Sequence, residues 1–379
     1  MSTKLNHDIQ PPSPKTIKRG IQGFILFSFL GLVFIIWWKT PAGLEHVSQL
    51  MQSPAILLIF ALVILDYIIG GFRYSLFFDG KVLPKISLWN SMRSNWANIF
   101  MGAVTPFQTG GGPAQLYILW RCGAKISQGA LVSLINLSST LFFFQIASLT
   151  AIFILPDYLF GEQITPIIRS GFFALFIFAG VVGLILTFPT IGYKLIEFIF
   201  TLIPNRLVKL QMISVKLLEV LKSEVVLFQE NFRQILKEKK ISLVIIVFTT
   251  MVLFFNKYLL GYIIAIALSP GINFDLFLGL QIIQYFLIYF APTPGASGLA
   301  EVSSTWLMNK IMAADVLVFY AVLFRLFTTI SGAIVGGIVL VLDLKNLAKT
   351  SVEPHELATD NLLYNQVVKE GDSISIKNK

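Results

Sequence analysis

The chain has 379 residues, of which 55% are hydrophobic and 13% charged, with a net charge of +9 and a mean hydropathy of +0.77. Such hydropathy excludes a soluble globular domain, and the basic excess lies in loops rather than in a run interleaved with stacking aromatics, so a nucleic-acid partner is not expected. Cys122 is the single cysteine, so neither an intrachain disulfide nor a cysteine-based metal site is available.

Residues 1–20 are polar, with Lys15, Lys18 and Arg19 just before the first apolar span, and read as a cytoplasmic segment ahead of a retained anchor. Span lengths near 20 residues predict crossings at about 21–38 and 55–78. The second crossing returns Lys81, Lys85 and Arg93 to the side of the N-terminus. Residues 87–121 then read as a re-entrant hairpin, because Pro106, Gly110, Gly111, Gly112 and Pro113 break an otherwise apolar helix. Proline removes a donor and glycine is costly to order, so bare peptide groups result, and at membrane depth these survive only where protein or a polar cavity satisfies them.

Further crossings are expected at 126–155 and 167–190. Residues 191–240 hold nine Lys or Arg against five Glu, with apolar positions recurring at three and four, which predicts one or two amphipathic helices at the cytoplasmic face. A crossing at 241–268 precedes a second broken hairpin at 274–312, interrupted by PTPGASG, which enters from outside or crosses as two half-helices. The last crossing, 316–342, closes a membrane domain spanning 21–345, and 346–379 reads as a flexible cytoplasmic tail.

The predicted fold is therefore all-α: a polytopic membrane bundle of about six full spans with two hairpins whose tips point toward each other, an arrangement open to an inverted repeat. Setting Gly112 against Gly298 also aligns Gln115 with Glu301 and Trp120 with Trp306, while the Thr105-Pro106 and Thr293-Pro294 pairs fall two residues out of that register. Paired Gly/Pro-broken segments in two halves of a membrane protein point to a transport site.

Asp66, Arg73, Arg121, Lys257, Glu301 and Arg325 lie inside or at the edges of the spans, where each charge is expensive and is expected to face the interior. Lys257 and Arg325 either pair with Asp66 or Glu301 or hold an anionic head group. Asp66 and Arg73 share one helix face, as structural or substrate-facing charges. Glu301 and Arg325 are placed at one depth and expected to meet. Gln281, Gln284 and Tyr285 are read as helix glue, and Gly332 with Gly336 as a close-packing face. His7, His46 and His355 fall in polar termini or loops, so no Ser/His/Asp set, metal cluster, phosphate loop or cofactor site is expected.

At its two broken motifs the sequence resembles the lysylphosphatidylglycerol synthase transmembrane family, a flippase-like membrane domain. TPFQTGGGPAQLYILWR and PTPGASGLAE carry the likeness. By resemblance Gly110, Gly111, Gly112, Gln115 and Arg121 match the first motif. Pro292, Pro294, Gly295, Gly298 and Glu301 match the second, with Arg325 at a basic position of the last span. Two departures stand out: relatives carry an acid near Gly112-Pro113 and a second glycine at the position of Ala296. The aminoacyl transferase domain of the synthases is not expected, since the chain ends soon after its last span.

The resemblance and the broken segments together imply binding of an anionic phospholipid or polyprenyl phosphate at a midplane site in the cytoplasmic membrane. The candidate ligand groups are Gly110, Gly111, Gly112, Gln115, Arg121, Lys257, Pro294, Gly295, Gly298, Glu301 and Arg325. An alternative is an accessory protein that presents lipid to a lipid-modifying enzyme or holds it in place. A membrane transferase lacks the paired carboxylates or metal ligands such chemistry needs.

Overall fold

A computed structural model describes residues 53–156, 161–188, 208–289 and 291–350, with a few isolated positions between them. The expected span at 21–38, the N-terminal segment and residues 351–379 lie outside the described residues. The described regular structure is helical. Its helices are α1 (Ala55–Ser75), α2 (Leu88–Val104), α3 (Gly111–Arg121), α4 (Ile126–Ile154), α5 (Gly161–Thr187), α6 (Val208–Glu238), α7 (Lys240–Leu268), α8 (Phe274–Tyr289), α9 (Leu299–Met308) and α10 (Leu317–Arg325), which continues through a π-turn at Leu326–Ile330 into α11 (Ser331–Thr350). The chain forms two compact units, Met1–Gly337 and Ile338–Lys379. The described part of the second is the helical end of α11.

Four helices among the described residues are long and apolar enough to cross a membrane: Ala55–Ser75, Ile126–Ala151, Lys240–Leu268 and Leu317–Asp343. The span expected at 167–190 falls on α5, whose apolar stretch is the shorter Phe173–Thr187. Helices α1 and α7 each keep a stripe of large apolar side chains uncovered, Leu57, Phe60, Ile64 and Ile68 on one and Ile241, Val244, Phe248 and Phe255 on the other. Stripes of this kind are what hydrocarbon, rather than water, would solvate.

Polar groups tie the helices where those stripes turn inward. Asn256 of α7 donates to the Leu62 carbonyl of α1 at 2.9 Å, and its neighbour Lys257 pairs at 2.6 Å with Asp66, one turn further along α1. Gln281 and Gln284 of α8 donate to Tyr320 and Ser304, so both act as the helix glue expected of them. A Cβ on Gly336 would collide with the Trp96 carbonyl oxygen, which makes the small-residue face of α11 a true backbone contact with α2. The expected amphipathic segment contains one long helix, α6. Its C-terminal half buries Phe228, Asn231 and Ile235, and Glu224 accepts from the Ser127 amide at 3.0 Å at the start of α4.

Candidate functional site

Both hairpins fold around the same turn. Thr105 and Thr293 are extended, the next three residues of each make a single 3-10 turn, and its second and third residues go left-handed: Phe107 (φ 52) and Gln108 (φ 56) in one tip, Gly295 (φ 55) and Ala296 (φ 58) in the other. Gly110 and Gly298 then cap α3 and α9. This corrects the register read from the glycines. The turns pair Thr105 with Thr293, Pro106 with Pro294 and Gly110 with Gly298, which sets Pro113 rather than Gln115 opposite Glu301. The Thr-Pro pair dictates where the chain turns, and glycine identity further along does not. The tips meet directly, with the Phe107 amide donating to the Pro292 carbonyl at 3.3 Å.

The second tip is stapled shut by Arg325 from α10. Its Nε donates to Glu301 Oε1 at 2.9 Å, Nη1 to the Gly295 carbonyl at 2.7 Å, and Nη2 to Ser297 Oγ at 3.1 Å. The other carboxylate oxygen, Oε2, accepts from the Gly298 amide at 2.7 Å and so satisfies an N-terminal donor of α9. Arg325 and Glu301 are 3% and 2% exposed. A charge pair so buried holds only if its remaining donors and lone pairs find partners, and these do.

The first tip is organised differently. Gly110 and Gly111 let α3 press on α2: added Cβ atoms would come within 2.7 Å of Thr105 Cγ2 and of Asn98 Oδ1 respectively. Gly112 has open space instead, on the wall of a cavity of about 420 Å³. Arg73 of α1, Gln115 of α3 and Asn136 of α4 line the same cavity, with Phe107 at the tip. Arg73 is 8% exposed and donates through Nη2 to the Asn136 carbonyl at 3.0 Å and Thr140 Oγ1 at 3.1 Å, while its Nε has no partner. Among the described residues no carboxylate pairs with it; Asp66 is engaged by Lys257 and Glu301 by Arg325. Gln115 is buried on the same cavity wall. Its Oε1 accepts from Asn98 Nδ2 at 2.8 Å and from Tyr74 OH at 3.2 Å, leaving Nε2 buried and unpartnered.

The family model described as the lysylphosphatidylglycerol synthase TM region matches residues 23–336. The chain belongs to the lysylphosphatidylglycerol synthase transmembrane family. It is also similar to a UPF0104 membrane protein of Archaeoglobus fulgidus, 24% identical over 261 residues that cover 67% of this chain and 76% of the relative.

The resemblance to this family rests on two motifs, and the geometry divides their residues by job. In the second motif Pro294, Gly295, Gly298 and Glu301 build and lock a tip. In the first, Gly110 and Gly111 serve packing, while Gly112 and Gln115 face the cavity. Arg121 lies exposed at the end of α3, apart from the cavity wall, and Lys257 is taken up by Asp66. The two departures from the family pattern also find a place. Ala296 sits at a left-handed position where glycine costs nothing, and Pro113 stands where the second tip has its carboxylate. Tyr74, Asn98, Ser133, Asn136 and Thr140, which no motif marks, also line the cavity. The sequence carries only a coarse signal here: four cations in or at the edges of the spans, Arg73, Arg121, Lys257 and Arg325, face two carboxylates, Asp66 and Glu301, an excess that does not say which cation is left over.

Proposed function

We propose that this membrane protein binds the anionic head group of a lipid, a phospholipid or polyprenyl phosphate, in the Arg73 cavity and carries it between leaflets. The observation that carries the reading is a buried guanidinium without a counter-ion among the described residues, beside an unpartnered amide donor, in a cavity at the first broken hairpin. Leaving such a charge unpaired costs several kcal/mol, a cost that a phosphate oxygen would offset. A charge-assisted, partly bidentate contact is the strong form of that interaction. The N-terminus of α3, with Gly112 bare of side chain, adds amide dipoles on the same side. The acyl chains would stay on the lipid-facing surface, and the tips, joined through the Phe107–Pro292 backbone hydrogen bond, would part to let the head group pass.

The direct test is a leaflet assay in proteoliposomes. Head-group translocation should exceed that of protein-free vesicles and fall at least about tenfold in Arg73→Gln. Rates equal to protein-free vesicles across anionic lipid classes would sink the proposal. On the same reading the protein resides in the cytoplasmic membrane with both termini, residues 79–95 and residues 191–240 on the cytoplasmic side. A cysteine introduced in a Cys122→Ser background at 222–230 should then resist external labelling in intact cells.

A further inference from the structure

We infer that the cavity selects a phosphate head group that carries no amine, an inference that rests on the lipid-binding reading of the same site. Four polar atoms of residues that line it are buried and unpartnered: Arg73 Nε, Gln115 Nε2, Ser133 Oγ and Asn136 Oδ1. One of the two side-chain amides among them, that of Asn136, is fixed by a backbone carbonyl, which can only accept. Gln115 accepts at Oε1 from Asn98 and Tyr74, which leaves its Nε2 as the group without a partner. Asn136 donates through Nδ2 to the Val132 carbonyl at 3.0 Å, so its Oδ1 is what remains. Arg73 is anchored by Asn136 and Thr140.

These four atoms belong to one full positive charge, one neutral donor, one hydroxyl and one neutral acceptor. Among the described residues no acidic side chain lines the cavity. Of the carboxylates on neighbouring helices, Asp66 is paired with Lys257, and Glu301 with Arg325 and the Gly298 amide. A phosphate would satisfy Arg73 and Gln115, and a glycerol hydroxyl would satisfy Asn136 Oδ1. An ammonium entering the same space would meet the Arg73 charge with no carboxylate among the described lining residues to compensate, and repulsion between like charges at low dielectric is severe. A glycerol-phosphate head group is thus accepted and an ethanolamine or lysyl ester refused, although the family takes its name from a lysylated lipid.

Native mass spectrometry of the purified full-length protein, given equimolar dioleoyl phosphatidylglycerol, phosphatidylethanolamine and lysylphosphatidylglycerol, tests this directly. The wild type should retain phosphatidylglycerol at least about tenfold over either amine-bearing lipid. Arg73→Gln should level the three. Gln115→Glu keeps the side-chain shape and sets a carboxylate in Arg73's cavity, so it should lower phosphatidylglycerol retention and raise that of the lysylated lipid. Because Gln115→Glu changes one atom type, it stands as the test even if Arg73→Gln fails to fold. Equal retention of all three lipids by wild type, or an unmoved ratio in Gln115→Glu, overturns the selectivity while leaving lipid binding intact. Retention of every lipid at the level of Arg73→Gln overturns the lipid-binding reading itself. Inorganic phosphate protecting the wild type against heat as well as phosphatidylglycerol does would assign the site to a soluble anion and overturn the lipid assignment.

Discussion

At the second hairpin tip an arginine and a glutamate close on the turn and on each other, so that the guanidinium and both carboxylate oxygens are answered by protein. At the first tip the same turn opens on a cavity whose cation comes from another helix, α1, and whose donors are left over. One backbone device thus serves two ends. Where the residue at the helix start is Glu301, the tip becomes a fixed post; where it is Pro113, no carboxylate among the described residues forms an ion pair with the nearby Arg73.

The contrast breaks most visibly at the post. Glu301→Gln or Arg325→Gln should each cost about 3 to 5 kcal/mol, because the partner is left buried and unpaired. Membrane yield and unfolding temperature in detergent would report it. Exchanging the two residues should restore little, since Arg325 also holds Gly295 and Ser297 from its present helix. A Glu301→Gln protein with normal yield but no lipid movement would mean that the second tip, too, handles substrate.

Within the first tip, neighbouring glycines should separate packing from binding. Gly111→Ala drives a methyl against the Asn98 side chain and carbonyl, at 2.7 and 2.9 Å, and should destabilise by roughly 2 kcal/mol. Gly112→Ala meets open space in the first turn of α3 and should be neutral or stabilising by up to about 1 kcal/mol. Thermal unfolding would rank them, and Gly112→Leu should keep the fold while slowing translocation. Ala296→Gly is a smaller change of favourable sign: relieving a left-handed alanine should add up to about 1 kcal/mol, read in the same melts.

The smallest effect lies away from both tips, where Lys239 at the α6–α7 junction donates to Asp79 in the loop after α1. Burial pushes the Asp79 carboxyl up, but the hydrogen bonds from Lys239 and the Lys81 amide, with the charges of both lysines, hold it below its ordinary value. A depressed carboxylate stabilises the fold above its unfolded pKa, about 3.9, and the contribution fades as pH falls through the folded value. Wild type should therefore lose its advantage over Asp79→Asn only in acid, seen as melting curves that converge below about pH 4.

Much of this architecture is legible in the sequence, for reasons that differ by residue. Proline and glycine runs force a helix to break wherever they stand, so both hairpins can be located from composition alone. Glu301 and Arg325 can be matched because two opposite charges at one depth have nowhere cheaper to go. The repeat register is harder to read: Gly112 and Gly298 are the same residue type, yet one faces a cavity and the other adopts φ 83 at a helix cap. Nor can the cation left without an ion-pair partner be chosen among several in the spans, because that depends on which carboxylates the neighbouring helices bring alongside. Lys257 loses its candidacy to Asp66, a contact between α1 and α7 that no local pattern encodes.

The π-turn at Leu326–Ile330 sets a phase between the two halves of one long helix. Arg325, just before it, points at the second tip, whereas Gly332 and Gly336, just after it, lie against Ile99 and Trp96 of the helix that leads to the first. In an uninterrupted α-helix, residues seven apart fall within roughly 20° of one another, so Arg325 and Gly332 would share a direction. The extra residue of a π-turn rotates the downstream half by about 100°, which lets a single helix hold the second tip and pack against α2 at once. Removing one residue there would mend the hydrogen-bond ladder and mis-time the helix, swinging the glycines off α2 and driving side chains with a Cβ into the Trp96 carbonyl. The irregular turn is thus a gear tooth between the fixed post and the open site.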